Sequence, residues 1–174
     1  MRLGLLSTAN INEKLVAGAR LADEVEVVAV ASRSLERASE QASALGVPRA
    51  LGSYEELLAD PDVDAVYISL PNSMHVDWSV RALEAGKHVL CEKPLARSVE
   101  EVERAFDAAD AAGRVLTEAF MWRHHPQVDR MVSLLPRVGD LRVVRVQFSF
   151  ALDSETFVDS VVDRRQQRAC AFLR

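Results

Sequence analysis

Gly86-Lys87-His88-Val89-Leu90-Cys91-Glu92-Lys93-Pro94-Leu95 contains a short apolar strand signal, His88 to Cys91, that runs straight into a Glu-Lys pair followed by proline. A helical pattern resumes only near Ser98. In open α/β sheets, ligands collect beyond the carboxyl ends of the strands, which is where this order of elements puts its charged turn. Two charged side chains at the end of a buried strand cost desolvation energy unless they have partners, and proline sets the local backbone direction. Pro94 also holds Lys93 in extended geometry. Burial, or a nearby positive charge such as an oxidised nicotinamide ring, makes a lysine give up its proton more readily, and a proton-transferring lysine needs that chemistry. The same residues would equally make a solvated turn after an edge strand. The flanking sequence has to decide.

Upstream, Leu3 to Leu6 is an apolar run followed by the small-residue turn Ser7-Thr8-Ala9-Asn10 and by apolar residues at helical spacing from Ile11 to Ala19. Val25 to Ala31 is too apolar for a surface strand, and a helix from Leu35 to Leu45 closes at Gly46 and Val47-Pro48. A short helix, Tyr54 to Ala59, has Ser53 as its N-cap and Asp60-Pro61-Asp62 as its stop. Val63 to Leu70 reads as a buried strand ending in Pro71-Asn72, and His75 to Ala85 as a helix terminated by Gly86. Downstream, Ser98 with Glu101 forms a capping box for a helix that runs to Gly113, and Val115 to Thr117 is a further strand. Strand signals alternating with helices over short connections specify an α/β fold, a doubly wound, mostly parallel sheet with helices on both faces. After about residue 120 the rhythm changes. Pro126 to Leu135 is expected to be a helix, Pro136 to Asp140 a turn, and Leu141 to Leu152 a long alternating strand with one wet face carrying Arg142, Arg145 and Gln147.

Bulk properties narrow the partners. With 174 residues, about half of them apolar, the chain suffices for one ordinary domain and not for two full ones. A net charge of −5 and a pI near 5.4 offer no long-range attraction to nucleic acid or anionic lipid, so the expected partner is a small molecule. The N-terminus has no basic region followed by a long apolar core, and no run approaches the ~20 apolar residues of a membrane helix. Two cysteines, Cys91 and Cys170, have no metal-ligand spacing. A cytoplasmic protein without membrane attachment is expected.

If the fold binds a dinucleotide, the first turn is its phosphate site, where small residues let backbone N–H groups and a helix N-terminus approach a pyrophosphate. The three glycine positions of the usual fingerprint are occupied by Ser7, Ala9 and Asn12, so the turn is open to a purely structural reading as well. At the end of the second strand, Ser32-Arg33-Ser34 contains no acid to accept ribose hydroxyls. Arg33 is either a solvated helix opener or a partner for the extra phosphate of NADP. His75 follows Pro71-Asn72, and His124 and His125 adjoin Arg123, all at strand ends; none of the histidines has zinc-site spacing, and no metal is expected. Neither a Gly-x-Ser-x-Gly elbow nor a Walker lysine motif is present, which counts against hydrolase and kinase chemistry.

Three segments together carry a resemblance: Leu70-Pro71-Asn72-Ser73-Met74-His75, Ala82 to Leu95, and Glu118-Ala119-Phe120-Met121-Trp122-Arg123-His124-His125-Pro126. With them the chain resembles the Gfo/Idh/MocA family of NAD(P)-dependent oxidoreductases from residue 2 to about 152. The glycine-poor turn Ser7-Thr8-Ala9-Asn10-Ile11 is similar to that of the branch containing D-xylose dehydrogenases and dihydrodiol dehydrogenase-like enzymes. The resemblance implies a Rossmann-like domain over residues 1–120 and hydride transfer between the nicotinamide and a carbinol carbon of a sugar, cyclitol or diol. It implies that Lys93 assists proton transfer at the substrate hydroxyl, that Glu92 and Pro94 shape the nicotinamide-ribose contact, and that Leu70, Pro71, Asn72 and His75 line the cofactor cleft. Arg123 and His125 match an Arg-x-His pattern that borders the family's active site. Residues 121–174 would then begin an α+β substrate and oligomerisation domain.

That second domain is expected to be incomplete. Family members continue with a Gly-rich segment and a helix that completes the active site, whereas Val158 to Arg174 contains no glycine, histidine or tyrosine and is crowded by Arg164, Arg165, Arg168 and Arg174. A shortened product of a reading-frame change near residue 157 is the expectation. The apolar face of the lone alternating strand, Val144, Val146, Phe148 and Phe150, would then seek a partner chain, with homo-oligomerisation through this domain as one outcome. The functional expectation is an oxidoreductase using NADP in preference to NAD. The alternative is a catalytically silent or truncated dinucleotide-binding module, and a plain interaction domain leaves Arg33 and the Glu92-Lys93 turn unexplained.

Overall fold

The structure, a computed structural model of the chain, describes residues 1–147. Six strands form one sheet: β1 (Arg2–Leu6), β2 (Glu26–Ala31), β3 (Arg49–Leu51), β4 (Ala65–Ile68), β5 (His88–Cys91) and β6 (Leu116–Glu118), in the order β3-β2-β1-β4-β5-β6. Every pairing is parallel. Strand order reverses between β1 and β4, and at such a switch point the connections leave in opposite directions and open a crevice beyond the carboxyl ends.

Successive side chains of a strand point to opposite faces, so a sheet buried on both faces needs apolar residues at nearly every strand position. Leu3 and Leu5 of β1 join Val30 and Tyr67 in one core, while Leu6 joins Ala29, Ala31, Val66 and Ile68 in the other. The first core is covered by α1 (Asn12–Ala19) and α2 (Leu35–Leu45), through Val16 and Ala42. The second is covered by α3 (Tyr54–Ala59), α4 (His75–Glu84) and α5 (Val99–Ala112), through Leu57, Ala82, Leu83 and Ala105. At Gly4 the sheet and α3 approach so closely that an added Cβ would lie 2.8 Å from Cδ1 of Leu57.

Helix boundaries follow the local chemistry read from the sequence. Ser34, Ser53 and Ser98 each accept the N–H three residues on, and Gly46 and Gly113 end α2 and α5 in the left-handed conformation that costs glycine least. The capping box at Ser98 is shifted by one residue: the Glu101 carboxylate takes the N–H of Arg97, not that of Ser98. β3 was not located beforehand, since Arg49-Ala50-Leu51 offers only three residues and no apolar run; its pairing with Ala29 to Ala31 creates it.

The chain separates into two compact units, Met1–Val128 and Asp129–Arg174. Helix α6 (Pro126–Leu134) ends in the second and is followed by a single 3₁₀ turn, Leu135–Arg137. The strand expected over Leu141 to Leu152 is corrected: residues 141–147 have no regular secondary structure, and the remainder of that strand, with Phe148, Phe150 and the atypical tail, lies outside the described residues. A strand exists through the ladder it makes with a neighbour. Among the described residues this segment has none, and Val144 and Val146 are exposed.

Candidate functional site

Beyond β1 the chain turns at Ser7, whose φ of 150° lies in a region that favours glycine. Hydrogen bonds from neighbouring elements hold it there. Asn12, completely buried at the start of α1, donates from Nδ2 to the Ser7 carbonyl at 2.9 Å and to Gln41 Oε1 of α2 at 2.8 Å. Its Oδ1 accepts the Ser69 hydroxyl at 2.8 Å, so the 2.6 Å contact between Ser7 Oγ and Ser69 Oγ has Ser7 as donor. Ser7 Oγ in turn accepts the N–H of Ala9, and Gln41 Nε2 donates to the Ala9 carbonyl. The turn is thus tied to the end of β4 and to α2 by side chains.

Thr8, Ala9 and Ile11 are half-buried and Asn10 is exposed. Helix α1 has no side-chain cap, and among the described residues the N–H groups of Asn10 and Ile11 have no acceptor. Free N–H donors at a helix start, preceded by the small residues Ser7, Thr8 and Ala9, fit a pyrophosphate group, with the exposed Glu13 in the first turn of α1 as the nearest acid. At the end of β2, Ser32 is buried and accepts the N–H of Ser34, while Arg33 is exposed. Arg37, one helical turn on, is exposed as well, and neither arginine forms an ion pair among the described residues.

Beyond β5 the backbone is fastened on several sides. The Glu92 N–H donates to the Ile68 carbonyl at 2.9 Å, continuing the ladder with β4, and Glu92 Oε1 accepts the Tyr67 hydroxyl at 2.6 Å. Burial, reinforced by the Glu92 carboxylate, pushes the Tyr67 phenol well above its ordinary range, so it remains a donor. The Lys93–Pro94 peptide is cis. The Pro94 carbonyl lies 2.8 Å from His75 Nδ1, and the Leu95 N–H donates to Glu118 Oε1 of β6 at 2.8 Å. Between these anchors Lys93 is exposed. The desolvation expected for this cation is therefore not supplied by the described residues; the partnered charge at this strand end is Glu92.

His75 takes a different place from the one expected of a cleft-lining residue. It is fully buried, with Nε2 2.8 Å from the Leu70 carbonyl and Nδ1 on that of Pro94. It joins the loop after β4 to the loop that carries Lys93, and any influence on a ligand passes through them. Pro71 is exposed, Asn72 half-buried and Leu70 buried. Asn72 also lines a groove of 510 Å³ with Leu95, Arg97 and Arg104 between α4 and α5. Beyond β6, Arg123 and His125 are both exposed, and His125 Nδ1 accepts the N–H of Gln127, placing that ring at the start of α6.

Sequence reasoning singled out Lys93 and the Ser7 turn but missed Tyr67, Ser69, Gln41 and Glu118. Tyr67 and Ser69 had a readable signal: two hydroxyls two residues apart lie on one side of an otherwise apolar strand, where each needs a polar partner. Gln41 is one of many polar residues on α2 and had none. Among the described residues no group of three metal-binding side chains occurs, and no helix is long and apolar enough to cross a membrane.

Residues 2–120 match the profile of the Gfo/Idh/MocA oxidoreductase family, described as having an NAD-binding Rossmann fold. The chain is 49% identical over 153 residues to D-xylose 1-dehydrogenase (NADP(+)) 2 of Haloferax volcanii, a match covering 87% of this chain and 47% of that protein. It is 47% identical over 127 residues to trans-1,2-dihydrobenzene-1,2-diol dehydrogenase of Oryctolagus cuniculus, covering 72% and 39%. Among solved structures, KijD10, a 3-ketoreductase from Actinomadura kijaniata in complex with NADP, superposes with a TM-score of 0.74 at 38% identity over 79% of this chain and 44% of that one. The chain spans about half the length, or less, of these relatives.

Proposed function

This chain belongs to the Gfo/Idh/MocA oxidoreductase family, and from that membership we propose that it binds a nicotinamide dinucleotide, NADP in preference to NAD, and presents Lys93 to a hydroxyl-bearing carbon of a sugar, cyclitol or diol. The observation that carries the reading is the braced turn at Ser7 to Asn12, placed at the carboxyl end of β1 beside β4, with the fastened Lys93 loop on the next strand. A relative whose name specifies NADP(+) and a structural neighbour bound to NADP support the cofactor choice. Residues 1–120 form the dinucleotide-binding domain in this reading, and 121–174 begin a substrate and oligomerisation domain, in a cytoplasmic protein.

When bound, the nicotinamide supplies the hydride acceptor or donor. The protein's part is position and proton handling. The Asn10 and Ile11 N–H groups and the start of α1 receive the pyrophosphate; Arg33 meets the 2′-phosphate; Ser7, Thr8, Ala9, Pro71 and Asn72 border the crevice. Glu92 and Pro94 set the ribose side of the nicotinamide position. Lys93 Nζ gives or takes the proton of the substrate hydroxyl, and Arg123 and His125 face the substrate.

The chain has three lysines, Lys14, Lys87 and Lys93. Lys14 and Lys93 are exposed, whereas Lys87 is buried with its ammonium donating to the carbonyls of Asp60 and Val63. Saturating NADPH is therefore expected to protect Lys93, and not Lys14, from acylation read by mass spectrometry. Equal labelling of Lys93 with and without NADPH overturns the reading. An assay of NADP reduction with aldoses and diols then separates an enzyme, whose turnover is lost in Lys93→Ala, from a silent binding module.

A further inference from the structure

Glu92 and Lys93 are neighbours of opposite charge, yet among the described residues they form no ion pair with each other. The carboxylate is held elsewhere: Oε1 accepts the Tyr67 hydroxyl at 2.6 Å, and Oε2 accepts the backbone N–H of Lys93 at 3.3 Å. We propose that Tyr67 is a positioning residue: by fastening the Glu92 carboxylate to β4 it withholds that charge from Lys93 and leaves the ammonium free for the cofactor crevice. What Lys93 acts on rests on the functional reading above. The Tyr67–Glu92–Lys93 linkage rests on geometry alone.

Three features make the linkage specific. Sheet register pairs Tyr67 with Leu90 and Ile68 with Cys91, so the phenol emerges on the side of the sheet to which Glu92, two residues beyond Leu90, returns. Tyr67 is 1% exposed and cannot swing away without opening the core, whereas its partner is a flexible side chain at a strand end. A hydroxyl donating to a carboxylate is among the stronger hydrogen bonds, and in a partly buried position it competes well with an exposed ammonium that water already solvates. Without the phenol, the freed carboxylate has Lys93 as its adjacent cation.

The three lysines give a direct test in the full chain. Acylation of Lys93 is measured relative to Lys14, with buried Lys87 reporting that the fold is intact. Tyr67→Phe is expected to lower the Lys93/Lys14 ratio by about threefold or more, through pairing of the freed carboxylate with the ammonium, the size expected of coupled neighbours. In a Glu92→Ala background the same substitution is expected to change nothing, and Tyr54→Phe, at the chain's only other tyrosine, is expected to leave the ratio as it is. An unchanged ratio in Tyr67→Phe, or an equal fall in the Glu92→Ala background, overturns the proposal. If Tyr67→Phe labels Lys87, the wild-type chain decides: a slowly exchanging downfield Tyr67 hydroxyl proton that disappears in Glu92→Ala supports the linkage, and its absence overturns it. NADPH protection of Lys93 is read separately, so failure of the cofactor reading and failure of this one are distinguishable.

Discussion

The Asn12 amide nitrogen lies 2.9 Å from the Ser7 carbonyl and, through its oxygen, receives the hydroxyl of Ser69. One buried side chain thus fixes the turn after β1 against the end of β4. Asn12→Ala leaves buried groups unpaired and is expected to cost about 1–3 kcal/mol of stability per orphaned group. Denaturant unfolding measures the loss, and weaker NADPH binding by the folded fraction is expected alongside it. Asn12→Gly is expected to behave like Asn12→Ala, because the deleted amide is what holds the turn.

Arg33 and Arg37 stand exposed and without ion pairs among the described residues at the start of α2. A charge-assisted contact to the 2′-phosphate contributes roughly 1.5–3 kcal/mol, so Arg33→Ala is expected to weaken NADPH binding by about 10–100-fold. NADH, lacking that phosphate, is expected to bind as before. Fluorescence titration of both nucleotides reads the ratio.

The Arg2 guanidinium and backbone N–H hold the Asp64 carboxyl well below the usual carboxylate range. A depressed folded-state value means that the unfolded chain binds the proton first, so the stabilisation is full above the unfolded value of about 3.9 and is lost as pH falls below it. Urea midpoints between pH 5 and 2.5 are expected to fall more steeply for the wild type than for Asp64→Asn.

Burial pushes the Cys91 thiol up to about 12, and the residue is completely buried. Only the thiolate attacks disulfide reagents, so at pH 8 the native Cys91 peptide is expected to stay unlabelled while the unfolded chain labels within minutes. Native labelling as fast as unfolded labelling contradicts that burial.

The approach of Gly4 to Leu57 leaves no room for a methyl group. Gly4→Ala is expected to cost about 1–3 kcal/mol by overpacking. Combined with Leu57→Ala it is expected to cost less than the sum of the two, since the added carbon enters the space the leucine vacates. A double-mutant cycle of unfolding free energies checks this.

Much of the fold could be read because the sheet is buried on both faces: Val27 to Ala31 and Val63 to Ile68 are apolar at nearly every position, and serines and glycines mark the helix ends. β3 could not, because a three-residue strand takes its identity from β2. The alternation of Leu141 to Gln147 was real as a pattern, yet a pattern supplies no neighbour to pair with. At the site, Lys93 stood out through local motifs. The partner of Glu92 did not, since Tyr67 lies 25 residues away and only the β4–β5 register brings the two together. His75 was expected to line the cleft, yet at the start of α4 its ring lies between two carbonyls, a convergence the sequence does not reveal.

The sheet tapers. Its flanking members, β3 and β6, have three residues each, while β1 and β2 near the middle have five and six. So narrow a margin offers little template on which another molecule's backbone could extend the array. Residues 1–120 should therefore tolerate concentration for calorimetry or NMR without growing end-on through the margins of this sheet.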